Sequence, residues 1–178
     1  MLFRSVRWDG FTIRHGYIAN YEANRDGGAG VGAFRGVRLE NLIIVNNATH
    51  GYRSRGGGLY MDGDNSVISN SYLLRNLVWG NSDCYGGGAY MIQGVGYNMV
   101  VATNRSRSQG GGIFIESARF YNNTVAYNMS DNVQGTGIMH WQDPTTGIAS
   151  QLTLYNCLVY DNMRNGGETL GTTQIGSS

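Results

Sequence analysis

Four charged residues are the candidates for acid and base catalysis in this sequence: Asp62, Asp64, Glu116 and Arg119. In the repeat described below, Asp62 and Glu116 fall in one column, two units apart. Stacked β-strands lie about 4.8 Å apart, so their backbones would be separated by roughly 9 to 10 Å. An inverting glycoside hydrolase separates its two carboxyl groups by about 6.5 to 9.5 Å. The pair therefore allows two interpretations, a carbohydrate-cleaving site or ordinary surface charges.

Two carboxylates flank a glycine turn in Asp62-Gly63-Asp64-Asn65, as in part of a calcium loop. The downstream glutamate and the remaining oxygen ligands of such a loop are absent, which favours a solvated turn. The histidines and cysteines lack the spacing of a zinc site. We predict no metal site and no cofactor, with calcium at this turn as the alternative.

Aromatic residues recur at one position of the same repeat, and Trp141 lies beside that column. The candidates for binding carbohydrate are Tyr60, Tyr90, Phe114 and Trp141. A sugar ring could stack on their faces, with neighbouring carboxylates bonding its hydroxyls. The alternative is that stacked aromatic rings stabilise the sheet, as cross-strand aromatic pairs do elsewhere. The exposure of the rings distinguishes the two interpretations.

The elements that would position these residues follow from a repeated glycine cluster. The copies begin at Gly30, Gly56, Gly86, Gly110 and Gly135, with spacings of 26, 30, 24 and 25 residues, and an apolar pair follows each cluster. Alternation along a strand predicts an inward and an outward column after each corner. The predicted inward column is Ala33, Leu59, Ala89, Ile113 and Ile138, and the outward column is Phe34, Tyr60, Tyr90, Phe114 and Met139.

A second repeat consists of an asparagine, an apolar run and a polar residue six positions on. Its copies span 41–47, 76–82, 98–104, 122–128 and 156–162. A unit of about 24 residues with two or three β-rich runs cannot bury its apolar face alone and has to stack on its own copies. A leucine-rich repeat lacks its leucines here, and an antiparallel barrel lacks its two-residue turns.

Composition excludes several classes of protein. The net charge is +1, and the 13 basic residues, all of them arginine, are spread along the chain, which argues against a nucleic-acid partner. No apolar run reaches the roughly 20 residues needed to cross a bilayer, so no membrane insertion is expected. The first residues also lack the apolar core of a signal peptide.

A family resemblance rests on three features: residues 8–16 (Trp-Asp-Gly-Phe-Thr-Ile-Arg-His-Gly), the Gly-Gly-Gly-Leu-Tyr type corners, and residues 155–162 (Tyr-Asn-Cys-Leu-Val-Tyr-Asp-Asn). They resemble the repeats of secreted bacterial right-handed β-helix proteins of the pectin-lyase-like superfamily. They are also similar to repeats of polymorphic outer-membrane proteins and surface adhesins. The resemblance covers most of residues 5–165 and implies an extracellular or outer-membrane-associated location, but the superfamily includes both enzymes and binding proteins.

We therefore predict an all-β, right-handed parallel β-helix solenoid of about six coils in residues 1–165, incomplete at both ends, followed by a polar tail at 166–178. The favoured function is a non-catalytic surface or secreted module, an adhesin, stalk or glycan-contacting part of a larger bacterial assembly. Its partners would be a polysaccharide or other protein chains. The alternative is a polysaccharide lyase or glycoside hydrolase using Asp62, Asp64, Glu116 and Arg119.

Overall fold

A computed structural model describes residues 6–20, 27–80, 83–132, 134–141, 151–165 and 174–177. These residues form short parallel β-strands arranged as six coils of four strands each. No described segment forms a helix that is long and apolar enough to cross a membrane. The prediction of an all-β parallel solenoid of about six coils is confirmed.

The first three coils contain β1 (Arg7–Asp9), β2 (Thr12–Arg14), β3 (Tyr17–Asn20), β4 (Val31–Phe34), β5 (Arg38–Glu40), β6 (Ile43–Val45), β7 (Ala48–Gly51), β8 (Leu59–Asp62), β9 (Val67–Ser69), β10 (Tyr72–Leu74), β11 (Leu77–Trp79) and β12 (Ala89–Met91). The last three contain β13 (Val95–Tyr97), β14 (Val100–Ala102), β15 (Arg105–Ser106), β16 (Ile113–Ile115), β17 (Ala118–Tyr121), β18 (Thr124–Ala126), β19 (Met129–Ser130), β20 (Ile138–His140), β21 (Leu152–Tyr155), β22 (Leu158–Tyr160), β23 (Met163–Arg164) and β24 (Ile175–Ser177).

Equivalent strands of successive coils pair in parallel, which builds four six-stranded sheets. We name them in chain order: sheet A begins with β1, sheet B with β2, sheet C with β3 and sheet D with β4. Inward side chains of sheets A, B and D meet in one continuous core that includes Leu39, Ile44, Leu59, Ile113 and Phe120. This packing is the means by which units of about 24 residues bury their apolar faces.

The turn between sheets A and B carries a left-handed residue in every coil: Gly10, Asn41, Asn70, Asn98, Asn122 and Asn156, with φ between 49° and 77°. Asparagine enters this region more readily than most residues, because its short polar side chain can bond locally. The first asparagine of the second repeat is therefore a turn residue on the solenoid surface.

The last asparagine of that repeat is buried and forms a ladder at the corner between sheets B and C. Its members are Asn47, Asn76, Asn104, Asn128 and Asn162. Each backbone N–H and each Nδ2 donates to the Oδ1 of the next member, over 2.8 to 3.0 Å. At the end of the ladder, Asn162 donates to Oε1 of Gln174 over 2.9 Å. The ladder satisfies polar groups that would be costly to bury unpaired.

The third glycine of each corner packs against this ladder. A Cβ at Gly112 would lie 2.6 Å from the carbonyl oxygen of Gly137 and 2.9 Å from Nδ2 of Asn128. Gly58 and Gly88 are equally confined by the next coil. The two repeats found in the sequence therefore contact each other, because the corner glycines of one repeat pack against the buried asparagines of the other.

The first coil corrects the predicted columns. Val31, rather than Ala33, pairs with Leu59, and Phe34 pairs with Asp62 rather than Tyr60. The corner of this coil is Gly28-Ala29-Gly30, so Gly30 is its third residue and stacks against Gly58. Counting Gly30 as the first glycine shifted the predicted register by two residues.

The second repeat needs correction in the third coil, and the coil itself has more strands than predicted. The copy in this coil, predicted at 76–82, spans 70–76, because Asn70 is the turn residue and Asn76 the buried one. The run after Asn76 is β11 of sheet C, and Ser82 lies outside the described residues. Each coil has four strands rather than two or three, and strands of only two to four residues carry little sequence signal.

The segment predicted as a polar tail also contributes to the solenoid. β24 pairs in parallel with β20, with Ile138 opposite Ile175. Gln174, just before this strand, takes the place of a further asparagine on the ladder. The sixth coil therefore extends into the 166–178 region as far as Ser177.

Candidate functional site

The aromatic ladder on the outer side of sheet D consists of Tyr60, Tyr90 and Phe114. Their rings are parallel within 8°, with centroids 5.7 and 5.0 Å apart, so each ring stacks on that of the next coil. They point away from the core, as predicted, yet no more than 2 % of any of these residues is exposed. With Met139 they form a second apolar cluster outside the main core.

The chain between sheets C and D folds over this ladder. Residues Arg55, Tyr85 and Gln109, each directly before a corner glycine, pair in parallel as isolated bridges. Tyr85 packs on Phe114 with centroids 4.5 Å apart, and the Arg55 guanidinium lies 4.9 Å from the centre of the Tyr90 ring. Covered from this side, the ladder is the floor of a site rather than an open surface.

A cleft of about 280 Å³ remains between this covering segment and sheet D. Its walls are formed by Arg53, Arg55, Asp83, Tyr85, Tyr90, Phe114, Glu116 and Trp141. Three of the four predicted carbohydrate-contacting residues, Tyr90, Phe114 and Trp141, line it. The fourth, Tyr60, is the buried ring at the other end of the ladder and does not line the cleft.

Hydrogen bonds fix the polar groups of this cleft. The hydroxyl of Tyr90 donates to Oε1 of Glu116 over 2.5 Å. The hydroxyl of Tyr85 donates to Oδ1 of Asp83 over 3.1 Å, and Nε of Arg53 lies 3.5 Å from Oδ2 of the same carboxylate. Both carboxylates are therefore oriented by a phenol.

The two phenols stay protonated far into the alkaline range. Burial, reinforced by the charge and hydrogen bond of Asp83, raises the pKa of Tyr85 to about 12. Burial also raises the pKa of Tyr90 well above its usual value of about 10, with the Glu116 carboxylate adding to the effect and Arg55 opposing it. Both hydroxyls are thus hydrogen-bond donors at neutral pH.

Four of the eight lining residues were not anticipated from the sequence: Arg53, Arg55, Asp83 and Tyr85. They belong to the connection between sheets C and D, which has no apolar pattern. A weak signal was present, because Arg55 and Tyr85 each precede the first glycine of a corner. Only the folding of that connection over sheet D gives the position a role.

The four predicted catalytic residues are distributed over different places. Glu116 lines the cleft on sheet D. Asp64 and Arg119 line a separate polar groove of about 720 Å³ at the corner between sheets D and A, together with Gln93, Ser117, Gln151 and Thr153. Asp62 lines neither of these two. The described geometry therefore brings Asp64 and Arg119 together but separates both from Glu116.

Asp62 and Glu116 do continue one column of sheet D, as expected. Met61, Met91 and Ile115 are paired in register, and each candidate carboxylate directly follows one end of this row. Ile92 lies between them, with its N–H bonded to the carbonyl of Met61 and its own carbonyl accepting from Ser117. Asp62 and Glu116 are therefore two coils apart in this column, with the apolar side chain of Ile92 between them.

The predicted calcium turn has a half-buried Asp62 and an exposed Asp64 on either side of Gly63. Among the residues that the structure describes, no three His, Cys, Asp or Glu side chains are grouped so that they could hold a metal ion. Calcium at this turn stays a prediction.

A second aromatic ladder, which sequence reasoning missed, lies on the outer side of sheet A. Tyr97, Tyr121 and Tyr155 follow one another with ring centroids 5.0 and 6.3 Å apart. Tyr155 is 67 % exposed. The signal is a Tyr-Asn pair that ends the sheet A strand in each of the last three coils.

Comparison with known proteins agrees with the architecture. The family model described as "Right handed beta helix region" matches residues 8–176. Comparison with curated proteins and with solved structures gave no match. Because the family model spans nearly the whole chain and the four stacked parallel sheets form the expected solenoid, the chain belongs to the right-handed β-helix family.

Proposed function

We propose that this chain is a carbohydrate-contacting β-helix module, acting as the glycan-binding part of a larger bacterial surface or secreted assembly. The observation that carries the proposal is the cleft on sheet D, where aromatic rings and fixed polar groups converge. Ligand sites combine an apolar lining with a few oriented polar groups in this way. At about 280 Å³ the cleft is slightly smaller than the usual range for such sites, which suits a ligand as small as one or two sugar rings.

The charges in the cleft favour a neutral sugar. Two guanidinium groups, Arg53 and Arg55, are balanced by the two carboxylates Asp83 and Glu116. Charged groups make stronger hydrogen bonds than neutral ones, so they are suited to hydroxyls that change partner from water to protein. Trp141, at the edge of the cleft, supplies an indole beside which a ring can pack.

An extracellular or cell-surface location belongs to the same proposal, as do partner chains of a surface assembly. The support is the resemblance of the repeats to those of secreted and surface proteins. A solenoid also suits such a role, because each coil adds length and repeats the same outward positions.

A second candidate function is cleavage of a polysaccharide by a lyase or glycoside hydrolase. The specific observation is that two carboxylates, Asp83 and Glu116, share one cleft, and glycoside hydrolysis uses a pair of carboxyl groups as its acid and its base or nucleophile. Against it, Asp83 is already held by Arg53 and Tyr85, and Glu116 by Tyr90. We therefore place binding first and cleavage second.

The test is a titration of the intact chain with neutral oligosaccharides, in parallel with an assay for new reducing or unsaturated ends. We expect binding without release of new ends, and about tenfold weaker binding for Glu116→Gln, since a hydrogen bond to a charged group contributes about 1.5 kcal/mol or more. Asp62→Asn is the matched control, because Asp62 does not line the cleft.

The outcomes separate the two candidates. Equal weakening by Glu116→Gln and Asp62→Asn would remove the cleft as the binding site. Release of new ends that Glu116→Gln or Asp83→Asn abolishes would replace the binding module with an enzyme. Calcium and a chelator are added in separate assays, because the predicted turn at Asp62-Gly63-Asp64 would make either activity calcium-dependent.

A further inference from the structure

The outer side of sheet C carries a tryptophan beside a group of arginines. Trp79 follows His50 in the register of the sheet, and the N–H of Arg107 donates to the carbonyl of Val78, so Arg107 continues the same column in the next coil. Arg105 pairs opposite Leu77 on the neighbouring outward position. These residues are on a different wall from the cleft on sheet D.

Two adjoining depressions meet at Arg107. One, of about 160 Å³, is lined by Leu77, Val78, Trp79, Arg105, Arg107 and Asp131. The other, of about 340 Å³, is lined by Arg107, Ser108, Asp131, Asn132 and Arg164. Their shared members are Arg107 and Asp131, so the two form one continuous surface, which we name the sheet C surface.

This surface has excess positive charge. It holds three guanidinium groups and one carboxylate, a formal charge of +2, whereas the whole chain has +1. Asp131 is shared: its Oδ1 lies 3.5 Å from Arg105, and its backbone carbonyl accepts from Nε of Arg164 over 3.4 Å. Within the part of the chain that the structure describes, the Arg107 guanidinium makes no hydrogen bond or ion pair.

Trp79 gives the surface an apolar contact. It is 45 % exposed although His50 packs beside it, with ring centroids 4.1 Å apart and planes inclined by 33°. The exposed remainder of the indole lines the smaller depression next to Arg105 and Arg107. An aromatic surface bordered by arginines fits a ligand with a ring and a negative charge.

We propose that the sheet C surface binds an acidic carbohydrate. The carboxylate or sulfate group of the sugar lies against Arg107 and Arg105, and the sugar ring packs on Trp79. Charge complementarity selects this class of ligand, since a neutral sugar supplies no negative charge to balance the formal +2 of this surface. A polynucleotide fits less well, because its regular phosphates call for a longer basic stripe than three arginines supply.

The experiment is a titration of the intact chain with an oligogalacturonate, a sulfated oligosaccharide, a neutral oligosaccharide of similar length and a polynucleotide. Binding is followed by calorimetry and by tryptophan fluorescence. We expect Arg107→Gln to weaken binding of the acidic ligands about tenfold, as the loss of a charged hydrogen bond implies. The arms with carboxylated and sulfated ligands show which anion is preferred. Arg38→Gln is the matched control, an exposed arginine on sheet A.

Fluorescence distinguishes this surface from the cleft on sheet D. The chain has three tryptophans, and Trp79 belongs to the sheet C surface whereas Trp141 lines the cleft. If acidic ligands bind as proposed, their signal disappears in Trp79→Phe and persists in Trp141→Phe. Because the two sites share no residue, failure of neutral sugars to bind the cleft would leave this inference standing.

Three results would overturn it. Arg107→Gln and Arg38→Gln could bind the acidic ligands equally, the signal could follow Trp141 alone, or a polynucleotide could bind more tightly than either acidic sugar. A double variant, Arg105→Gln with Arg107→Gln, guards against compensation by the neighbouring guanidinium. We expect raised salt to weaken the binding of the acidic ligands more than the binding of the neutral one, because exposed charges are screened over about 8 Å at physiological ionic strength.

Discussion

Two aromatic ladders run along this solenoid, and they differ mainly in what covers them. On sheet D, Tyr60, Tyr90 and Phe114 are almost completely buried, whereas on sheet A, Tyr97 and Tyr155 are 38 % and 67 % exposed. Centroid separations are similar, between 5.0 and 6.3 Å. The separation of neighbouring rings therefore follows from the spacing of the coils, whereas the burial of the rings does not.

The difference lies in the length of the connection that leads to each sheet. Between β7 and β8, residues 52–58 connect sheets C and D, and they include Arg55, which covers Tyr90. Between β16 and β17, the strand that carries Tyr121, only residues 116 and 117 connect sheets D and A. A two-residue turn cannot fold back over a sheet, whereas a longer one can and brings its own side chains. On sheet D, the space left between the ladder and its covering segment forms a cleft, whereas no described segment covers the sheet A ladder in this way, and that ladder forms part of the outer surface.

The largest effect expected from this comparison is on stability. Phe114→Ala removes a ring packed against Tyr90, Tyr85 and Trp141, and should lower the free energy of unfolding by about 3 to 5 kcal/mol. Tyr121→Ala on the open ladder should cost about 1 kcal/mol or less. Urea unfolding of both variants measures the difference, and equal costs would mean that the covering segment adds nothing.

The same contrast between covered and open positions applies to the asparagines. Asn104→Ala removes the Oδ1 that accepts from two donors of Asn76 and the Nδ2 that donates to the buried carbonyl of Leu73, and should cost about 3 kcal/mol. Asn98→Gly is the control, since glycine keeps the left-handed turn at an exposed position, and we expect a change of about 0.5 kcal/mol or less. A cost for Asn98→Gly as large as that for Asn104→Ala would contradict the distinction.

The smallest change in stability at neutral pH is expected from Tyr90→Phe. This variant tests the covered ladder at alkaline pH instead. The pKa of Tyr90 is raised in the folded chain above its unfolded value near 10, so the folded state holds the proton more tightly. The stability contributed by that proton is complete below pH 10 and is lost as the pH rises beyond it.

We therefore expect the urea midpoint of the wild-type chain to fall above pH 10, and to fall less in Tyr90→Phe. Tyr85 contributes to the same loss between about pH 10 and pH 12, because its pKa is about 12. A Tyr90→Phe variant with the same alkaline slope as the wild type would show that Tyr90 does not hold its proton in the way its burial implies.

Much of the fold could be predicted because each coil repeats the same local rules. The alternation that places Leu59 inward and Tyr60 outward is visible in the sequence, as are the glycine corners. Register was less predictable where the signal was degenerate. In Gly28-Ala29-Gly30, either glycine could be taken as the first residue of the corner. The apolar run after Asn76 also resembles the one after Asn70, so the wrong run was assigned to the repeat.

The candidate sites were harder to predict. Glu116 and Phe114 were found because they lie on strands of known alternation, but Arg53 and Asp83 lie in a connection with no period. The sheet C surface was missed for a related reason, since β15 contains only two residues and Arg107 follows it. Short strands and irregular connections hold side chains whose direction depends on the coils above and below.

The sequence by itself determined that the chain forms a solenoid, although not that each coil has four strands. The reason is that glycine and asparagine recurring at similar intervals favour self-stacking coils with buried polar corners. It also determined that aromatic rings would form columns. The tertiary structure alone decided which column was covered, which residues met in a cleft, and where positive charge collected. These depend on contacts between residues some 25 to 30 positions apart, such as Tyr90 with Glu116, and no local pattern encodes how closely such residues approach.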